Sequence, residues 1–204
     1  MESAAQQSRR KRPGMAEQRK RIRAAAVDLL SVHGSNGVSV SDICKRARVS
    51  RDTYYRCFTD KDALIDELYQ TSVNDHIETV LNAWDLDYNN QEWLHRVFDQ
   101  TIDAILEQHK VAQLLFVESA DPNSHAYRVI HKAFDKAARR MQRWCKASYG
   151  MSPSKEYLVA LLVAVQWLVH NAITSGMKKR DIDKAKAASE QLFHAAFSNL
   201  KNAT

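Results

Sequence analysis

One run of nine residues, Ser-Arg-Asp-Thr-Tyr-Tyr-Arg-Cys-Phe at positions 50–58, combines side chains that suit contact with DNA. On a helix, four of its members offer guanidinium, hydroxyl and phenol groups from one face: Arg51, Thr53, Tyr55 and Arg56. A guanidinium donates two hydrogen bonds to guanine, a threonine methyl packs against the thymine methyl, and hydroxyl groups bond to phosphate oxygens. The run therefore predicts recognition of nucleic acid, a chemistry that requires no cofactor.

Two short helices would position this run. Ser39-Val40-Ser41-Asp42 is a capping-box pattern, in which the Ser39 hydroxyl accepts from the Asp42 backbone and the Asp42 carboxylate reaches back. Ser50 is a second N-cap, after the connection 47–49. Two helices of about eight residues joined in this way have the dimensions of a helix-turn-helix, whose second helix points its N-terminal end at base edges.

Two aromatic residues and one arginine complete the second short helix. Tyr54 and Phe58 are expected to anchor it on the first helix of the chain, because a short helix needs apolar contacts to pack. Arg56 is either solvated or in contact with a phosphate.

The positive charge of the chain is concentrated near its N-terminus. Residues 1–60 hold 13 Lys and Arg against 6 Asp and Glu, whereas residues 61–204 hold 17 against 18. A basic segment beside a near-neutral body indicates binding to a polyanion, either nucleic acid or an anionic membrane, although a solvated basic tail has the same composition. The tail at 8–12 either lies along the minor groove or is disordered.

Apolar residues recur every three to four positions along almost the whole chain, which predicts an all-α fold of about nine helices. We expect a disordered basic tail at 1–14, a helix-turn-helix domain at 15–60 and a second helical domain, a bundle, at 61–204; the roles of this second domain in ligand binding and dimerisation come from the family resemblance described below. A long fourth helix, running from residue 59 through Trp84, would join the last two.

Several function classes lack their sequence signatures. Five Gly and three Pro leave no phosphate-binding loop, and the chain has no HExxH or GxSxG pattern. His95 and Asp99 are more typical of a surface pair than of a catalytic dyad. The basic N-terminus lacks the apolar segment of a signal peptide, and the apolar run 157–169 is short for a membrane span. We therefore expect a cytoplasmic protein that binds no metal, does not bind membranes and is not an enzyme.

Residues 21–68 resemble the DNA-binding domain of the TetR family of transcriptional regulators. The similarity is carried by Ile-Arg-Ala-Ala-Ala at 22–26, Val-Ser-Asp-Ile-Cys at 40–44, residues 49–58 and Lys-Asp-Ala-Leu at 61–64. The resemblance implies a homodimer that binds a double-stranded operator of approximate two-fold symmetry and represses transcription until a small molecule enters the C-terminal domain.

The resemblance also assigns roles to single residues. Thr53 and Tyr55 match base and phosphate contacts, and Lys61 matches a phosphate-binding lysine at the start of the fourth helix. The family usually has Gly where this chain has Arg48, so Arg48 is expected at positive φ unless the turn differs; an added phosphate contact would offset the strain. The full predicted DNA surface comprises Ser41, Arg48, Ser50, Arg51, Thr53, Tyr55, Arg56 and Lys61.

Gln166 and His170 stand out in the C-terminal half, because they lie four apart on its most apolar helix. A buried polar group without a partner costs a few kcal/mol, so both need partners: a ligand, other core side chains or the opposite protomer. In the family that the chain resembles, the ligand pocket lies among helices five to eight. The resemblance therefore implies a ligand site that includes Phe98, Ile102, Phe116, Tyr127, Trp144, Gln166 and His170. By the same resemblance, the dimer contact would involve Leu161, Val165, Leu168, Ala172, Leu192, Phe193, Ala196 and Leu200.

The sequence thus favours a ligand-responsive regulator of transcription, most often a repressor in this family. The alternative is a helical adaptor or ligand-binding protein without sequence-specific DNA binding. In such an adaptor, Tyr55→Phe and Lys61→Ala would leave every activity intact. A membrane-surface protein is disfavoured, because the first helix is rich in alanine rather than Trp or Phe and would insert weakly.

Overall fold

The computed structural model describes the backbone of residues 14–82 and 91–201, and the side chains of 14–73, 92, 93 and 95–198. Over these ranges the chain contains helices and no strand, which confirms the predicted fold class. Nine helices occur there: α1 (Met15–His33), α2 (Val40–Ala47), α3 (Arg51–Cys57), α4 (Lys61–Asn82), α5 (Gln91–Glu107), α6 (His109–Glu118), α7 (His125–Tyr149), α8 (Lys155–Thr174) and α9 (Lys179–Lys201). The basic tail and Trp84 lie outside the described residues.

The chain divides into two compact units between Leu64 and Ile65, within α4. The N-terminal unit contains α1, α2, α3 and the first residues of α4, and the C-terminal unit contains the remaining helices. The predicted boundary at residue 60 remains a prediction, since a helix that continues from one unit into the next offers no linker at which to place it.

The N-terminal unit has a small core, to which α1, α2 and α3 all contribute. Ile22, Ala26 and Leu30 recur every four residues along α1 and are fully or almost fully buried. Ile43 of α2 and Tyr54 of α3 are buried as well, and both helices pack against α1. Burial of this apolar stripe, rather than intrinsic propensity, stabilises helices as short as α2 and α3.

Local caps fix where these short helices begin and end. Gly34 ends α1 at φ 68°, and its N–H donates to the Leu30 carbonyl over 2.8 Å. At the start of α2, the Ser39 hydroxyl accepts from the Asp42 N–H at 3.2 Å while the Asp42 carboxylate accepts from the Ser39 N–H at 3.1 Å. The predicted capping box is therefore confirmed.

The C-terminal unit is a helical bundle in which α9 packs against α5 and α8, and α7 packs against α6 and α8. Its core is rich in large side chains from several helices, including Phe98, Ile102, Met141, Leu158 and Phe197. Outside that core, the Lys186 ammonium on α9 donates to Asp99 and, at 2.7 Å, contacts Asp103, both on α5. These contacts fix the pairing of α5 with α9.

The most apolar helix is α8. The most apolar 18-residue window of this helix of 20 residues has a mean hydropathy of 1.6, which by length and composition alone is enough to cross a bilayer. A single helix of this kind is weak support for a membrane protein, since the core helix of a soluble bundle passes the same test. Leu158, Val169 and Ala172 of α8 are in fact buried within the unit.

Candidate functional site

Helix α3 has one covered side and one exposed side. Ser50 caps it, because its hydroxyl accepts from the Thr53 N–H at 3.2 Å. Arg51, Tyr55 and Arg56 are exposed, and Tyr55 keeps 53% of its surface open to solvent. Two cations and a phenol therefore share the outer side of a helix whose start is fixed by its cap.

The inner side of α3 is anchored by Tyr54. This side chain is fully buried, and its hydroxyl donates to the Asp60 carbonyl at 3.1 Å. Its ring lies 5.8 Å from that of Phe58, which is also buried. Burial raises the pKa of the Tyr54 phenol far above its usual range, with smaller contributions from Cys44 and Asp60. The prediction that Tyr54 and Phe58 are core anchors is confirmed.

The turn before α3 is formed by Arg48. This residue ends α2 in the left-handed region, at φ 56° and ψ 48°, and its N–H donates to the Lys45 carbonyl at 3.3 Å. The predicted positive φ is confirmed, and the side chain is exposed. Among the described side chains, no acidic residue lies within ion-pair distance of Lys45, Arg48 or Arg51. The end of α2, the turn and the start of α3 thus present three exposed cations to solvent, of which Lys45 also interacts with the nearby Asp42 carboxylate.

Thr53 does not share the exposed face that the sequence assigned to it. Only 9% of its surface is exposed, since position 53 points to the side of α3 that packs on the unit. Its hydroxyl lies 2.9 Å from the Ser50 hydroxyl and accepts from the Arg56 guanidinium at 3.2 Å. A contact with DNA would require Thr53 to exchange these partners.

Lys61 is tied to the protein backbone. Its ammonium donates to the carbonyls of Ser35 and Val38, at 2.7 and 3.0 Å, and the side chain is half-buried. These bonds hold the loop between α1 and α2, directly before the Ser39 cap. Ser41, on the first turn of α2, is also half-buried. Lys61 therefore supports the helix-turn-helix from within, whatever contact its third N–H makes.

Four of the predicted ligand-site residues come together in the C-terminal unit. Phe98 and Ile102 are buried in its core, and Phe116 and Trp144 pack against the same cluster. Tyr127 does not join them; its ring stacks on His131 of α7 at 3.8 Å. Four of the predicted residues thus share one cluster and Tyr127 packs on its own helix, while their role in ligand binding stays a prediction.

Gln166 and His170 lie on the side of α8 that faces α6. The Gln166 amide donates to the Ser119 hydroxyl at 3.3 Å, so Gln166 has a partner within the unit. His170 lies against the Phe116 ring at 6.1 Å, and its Nδ1 atom is buried without a hydrogen-bond partner among the described residues. Of the two, only His170 retains a buried polar atom that a ligand would satisfy.

The predicted dimer residues divide into two groups. Leu161, Ala172, Phe193 and Ala196 are buried within a single protomer, so their side chains already fill its core. Val165, Leu168 and Leu192 are half-buried, and the side chain of Leu200 lies outside the described residues.

The exposed apolar residues of α8 were absent from the sequence prediction. Val163 and Trp167 are 45% and 62% exposed, and Ala160 is exposed beside them on the same side of the helix. Because α8 is apolar on almost every side, hydropathy could not distinguish its outer face from its inner one. The interruption of apolar character at Glu156 and Thr174, which bracket this stripe, was the available signal.

Comparison with known proteins identifies the N-terminal unit. Residues 22–68 match the family model of the bacterial regulatory proteins of the tetR family. A curated relative, the uncharacterized HTH-type transcriptional regulator YdeS of Bacillus subtilis, is 37% identical over 71 residues, which are 35% of this chain and 36% of YdeS. The match thus spans about a third of that relative.

Solved structures extend the similarity of fold to most of the chain. The fatty acid degradation regulator FadR of Bacillus halodurans superposes with a TM-score of 0.71 over 90% of this chain and 97% of its own, at 19% identity. FadR of Bacillus subtilis in complex with stearoyl-CoA gives a TM-score of 0.70 over 87% and 98%, at 17% identity. The match of residues 22–68 shows that the N-terminal unit is a DNA-binding domain of the tetR family of bacterial regulatory proteins, and over most of its length the chain shares the fold of these solved regulators.

Proposed function

We propose that this protein is a cytoplasmic, ligand-responsive repressor that binds a near-palindromic operator as a homodimer and is released by a small molecule. The observation that carries the proposal is the exposed side of α3, where Arg51, Tyr55 and Arg56 follow the Ser50 cap. A capped, anchored helix with outward cations suits the major groove.

Within this surface, Arg51 is the residue that reads a base. It is the first residue of α3, and the N-terminal end of a recognition helix is the part that reaches base edges. Arg48, Arg56 and the hydroxyls of Ser41, Ser50 and Tyr55 would contact phosphates and set the register. Thr53 and Lys61 complete the set of predicted DNA contacts. In the free chain, the Thr53 hydroxyl and the Lys61 ammonium each have a partner within the protein.

Two copies would associate through the exposed apolar stripe of α8, formed by Ala160, Val163 and Trp167. Only 28% of the most apolar window of α8 is buried within one protomer, which leaves an apolar surface to be covered. The half-buried Leu168 and Leu192 would extend the contact onto α9. A two-fold pairing is required because two recognition helices must reach successive major grooves, about 34–36 Å apart.

A long-chain acyl-CoA is the first effector class to test. A FadR of similar fold has been solved with stearoyl-CoA, and the core of the C-terminal unit here is apolar, as an acyl chain requires. The buried Nδ1 of His170, beside Phe116, would meet a polar atom of the ligand. The effector must bind the DNA-incompetent state more tightly, because only differential affinity shifts the equilibrium.

The DNA-binding part of the proposal is tested by sequencing the genomic fragments that the purified protein retains. A single near-palindromic site is expected among them. On that site Arg51→Ala should cost about 1–3 kcal/mol and relax the preference at one base position. Lys45→Ala, which removes a nearby exposed cation without touching α3, serves as the control and should not alter base preference. If Arg51→Ala weakens all sequences equally, Arg51 is a phosphate contact; absence of any preferred duplex refutes the proposal.

The dimer and the effector have separate tests. Trp167→Glu should yield a monomer in analytical ultracentrifugation and abolish tight operator binding, whereas Val117→Glu, at an isolated exposed position on α6, should do neither. Stearoyl-CoA should lower operator affinity at least fivefold, the lower end of usual allosteric coupling. A dimer that survives Trp167→Glu, or an operator affinity unchanged across acyl-CoA esters, would contradict the corresponding assignment.

A further inference from the structure

Helix α7 carries a row of cations along its solvent side. Six Lys and Arg residues, all exposed, recur at steps of three or four: Arg128, Lys132, Lys136, Arg139, Arg143 and Lys146. This spacing keeps them on one side of a helix. At 1.5 Å per residue, the row is about 27 Å long. We call it the basic row of α7.

The row is hidden in the overall charge of the C-terminal half. Residues 125–149 hold seven Lys and Arg against one Asp, while the rest of residues 61–204 hold ten against seventeen. The near-neutral total therefore results from a strong separation of charge within the unit. A helix face of one sign creates a local positive potential that attracts polyanions.

Among the side chains that the structure describes, acidic residues neutralise only a small part of the row. Asp135 pairs with Arg139 at 2.7 Å, and it also contacts Lys155 at 3.1 Å. Over the described side chains, no acidic residue forms an ion pair with Lys132, Lys136, Arg143 or Lys146. Like charges three or four residues apart repel one another on a helix surface, so the row costs stability within the protein. A ligand outside the protein would offset that cost.

The surroundings of the row favour a nucleic acid over other polyanionic partners. The apolar side of α7, with Val129, Ile130 and Met141, is buried in the bundle, so no apolar face remains to insert into a membrane. Protein interfaces are poor in Lys and rely on aromatic anchors, which the row lacks. DNA-binding surfaces are strongly positive, and duplex DNA carries one charge per about 1.7 Å.

We propose that the basic row of α7 is a second DNA-binding surface, which binds the phosphate backbone of duplex DNA independently of sequence. Its length spans roughly eight base pairs, at 3.4 Å each. Sequence recognition by α3 does not require it. The row would increase the affinity of the protein for any duplex and allow one molecule to hold a second DNA segment.

The test removes the contribution of α3 first. In the full chain, Arg48→Gln/Arg51→Gln weakens the first surface, and binding of a random 30-base-pair duplex is measured from low to moderate salt. Adding Lys132→Gln/Lys136→Gln should lower the remaining affinity about tenfold or more and reduce the slope of log K against log salt by about two. The matched control, Lys179→Gln/Lys184→Gln, removes the same charge from exposed positions on α9 and should change neither quantity.

Three results would overturn the proposal. These are loss of all duplex binding in the Arg48→Gln/Arg51→Gln protein, equal effects of the α7 and α9 substitutions, and binding to phosphatidylserine-containing vesicles in place of DNA. The last would assign the row to lipid headgroups. Because the duplex is random, the outcome does not depend on an operator; failure of the proposed repressor function would instead appear as absence of any preferred site in the unmodified protein.

Discussion

The two units differ in how their polar side chains are satisfied. In the N-terminal unit, side chains that begin a helix also close the preceding turn, as Ser39, Asp42 and Ser50 do. In the C-terminal unit, three buried polar atoms lack a partner over the described part of the chain: Thr101 Oγ1, His170 Nδ1 and His194 Nδ1. All the orphan atoms in that part therefore belong to one unit.

The polar groups that position α3 are therefore satisfied within the protein, whereas some buried polar groups of the C-terminal unit are not. The N-terminal unit needs no ligand to hold α3, since its caps and its anchor residue Tyr54 already do so. Buried polar atoms without partners are rare in folded proteins, and each asks for an explanation such as a bound ligand or a change of state. A ligand-responsive regulator needs both a rigid DNA-contacting helix and a region whose conformational free energy changes when a ligand binds.

The largest effect on stability is expected from loss of Tyr54, which anchors α3 in the N-terminal unit. Tyr54→Ala should lower the free energy of unfolding by about 3–5 kcal/mol, because it empties a fully buried aromatic site in a small core. Tyr55→Ala, at the exposed neighbouring position, should change it by less than about 0.5 kcal/mol. Urea unfolding followed by circular dichroism measures both. Equal losses would show that Tyr54 stabilises the unit no more than its exposed neighbour does.

Lys61 tests whether the N-terminal unit is held by backbone contacts. Lys61→Met keeps most of the apolar stem but leaves the Ser35 and Val38 carbonyls without their charged donor. Hydrogen bonds to charged groups contribute about 1.5–3 kcal/mol, so the free energy of unfolding should fall by that amount. Unchanged stability together with a salt slope for DNA binding lower by about one would instead identify Lys61 as a phosphate contact only.

The sequence predicted the N-terminal unit in detail because the chemistry there is local. The capping box at Ser39 and Asp42 and the Ser50 cap each depend on residues within three or four positions, whereas the positive φ of Arg48 was implied by the resemblance to the TetR family. The prediction that Thr53 lies on the exposed face of α3 was wrong, because a helix of seven residues is too short for its own pattern to define which face is buried.

The C-terminal unit was predicted in outline only. The apolar periodicity predicted that it is helical throughout. The outer face of α8 was missed, since Leu161 and Trp167 are equally apolar and only tertiary packing separates buried from exposed. The basic row of α7 was missed for a different reason: charge was summed over residues 61–204, which cancels a local excess.

In the C-terminal unit, His170 carries one of the buried polar atoms that lack a described partner. His170→Phe replaces a buried, unpaired Nδ1 by an apolar ring next to Phe116. Removal of the unsatisfied group should raise the free energy of unfolding by about 1 kcal/mol, measured by urea titration. Gln166→Leu, which breaks an existing bond to Ser119, is the matched control and should not stabilise the protein. A destabilising His170→Phe would mean that the imidazole already has a partner, such as bound water.

Arg48 tests the one strained position of the turn. Arg48→Gly should raise the free energy of unfolding by about 0.5–1 kcal/mol, because glycine adopts positive φ without the steric cost that a β-carbon brings. The same substitution should lower DNA affinity and reduce the salt slope by about one if Arg48 contacts a phosphate. Arg48→Ala separates the two effects, since it removes the charge and retains the strain. A loss of stability in Arg48→Gly would show that the arginine side chain stabilises the turn.

The smallest expected effect is the pH dependence of the α2 cap. Hydrogen bonds from the Ser39 hydroxyl and backbone N–H hold the pKa of Asp42 below its usual value of 3.8. A carboxylate with a lowered pKa in the folded state stabilises the fold above its unfolded pKa, and this contribution is lost as pH falls through the folded value. Asp42→Asn should therefore be less stable than the unmodified protein at neutral pH, with the difference closing below about pH 3.8. In a Ser39→Ala background the pH-dependent part should shrink, because the hydroxyl that lowers the pKa is gone; an undiminished pH dependence there would assign it to another carboxylate.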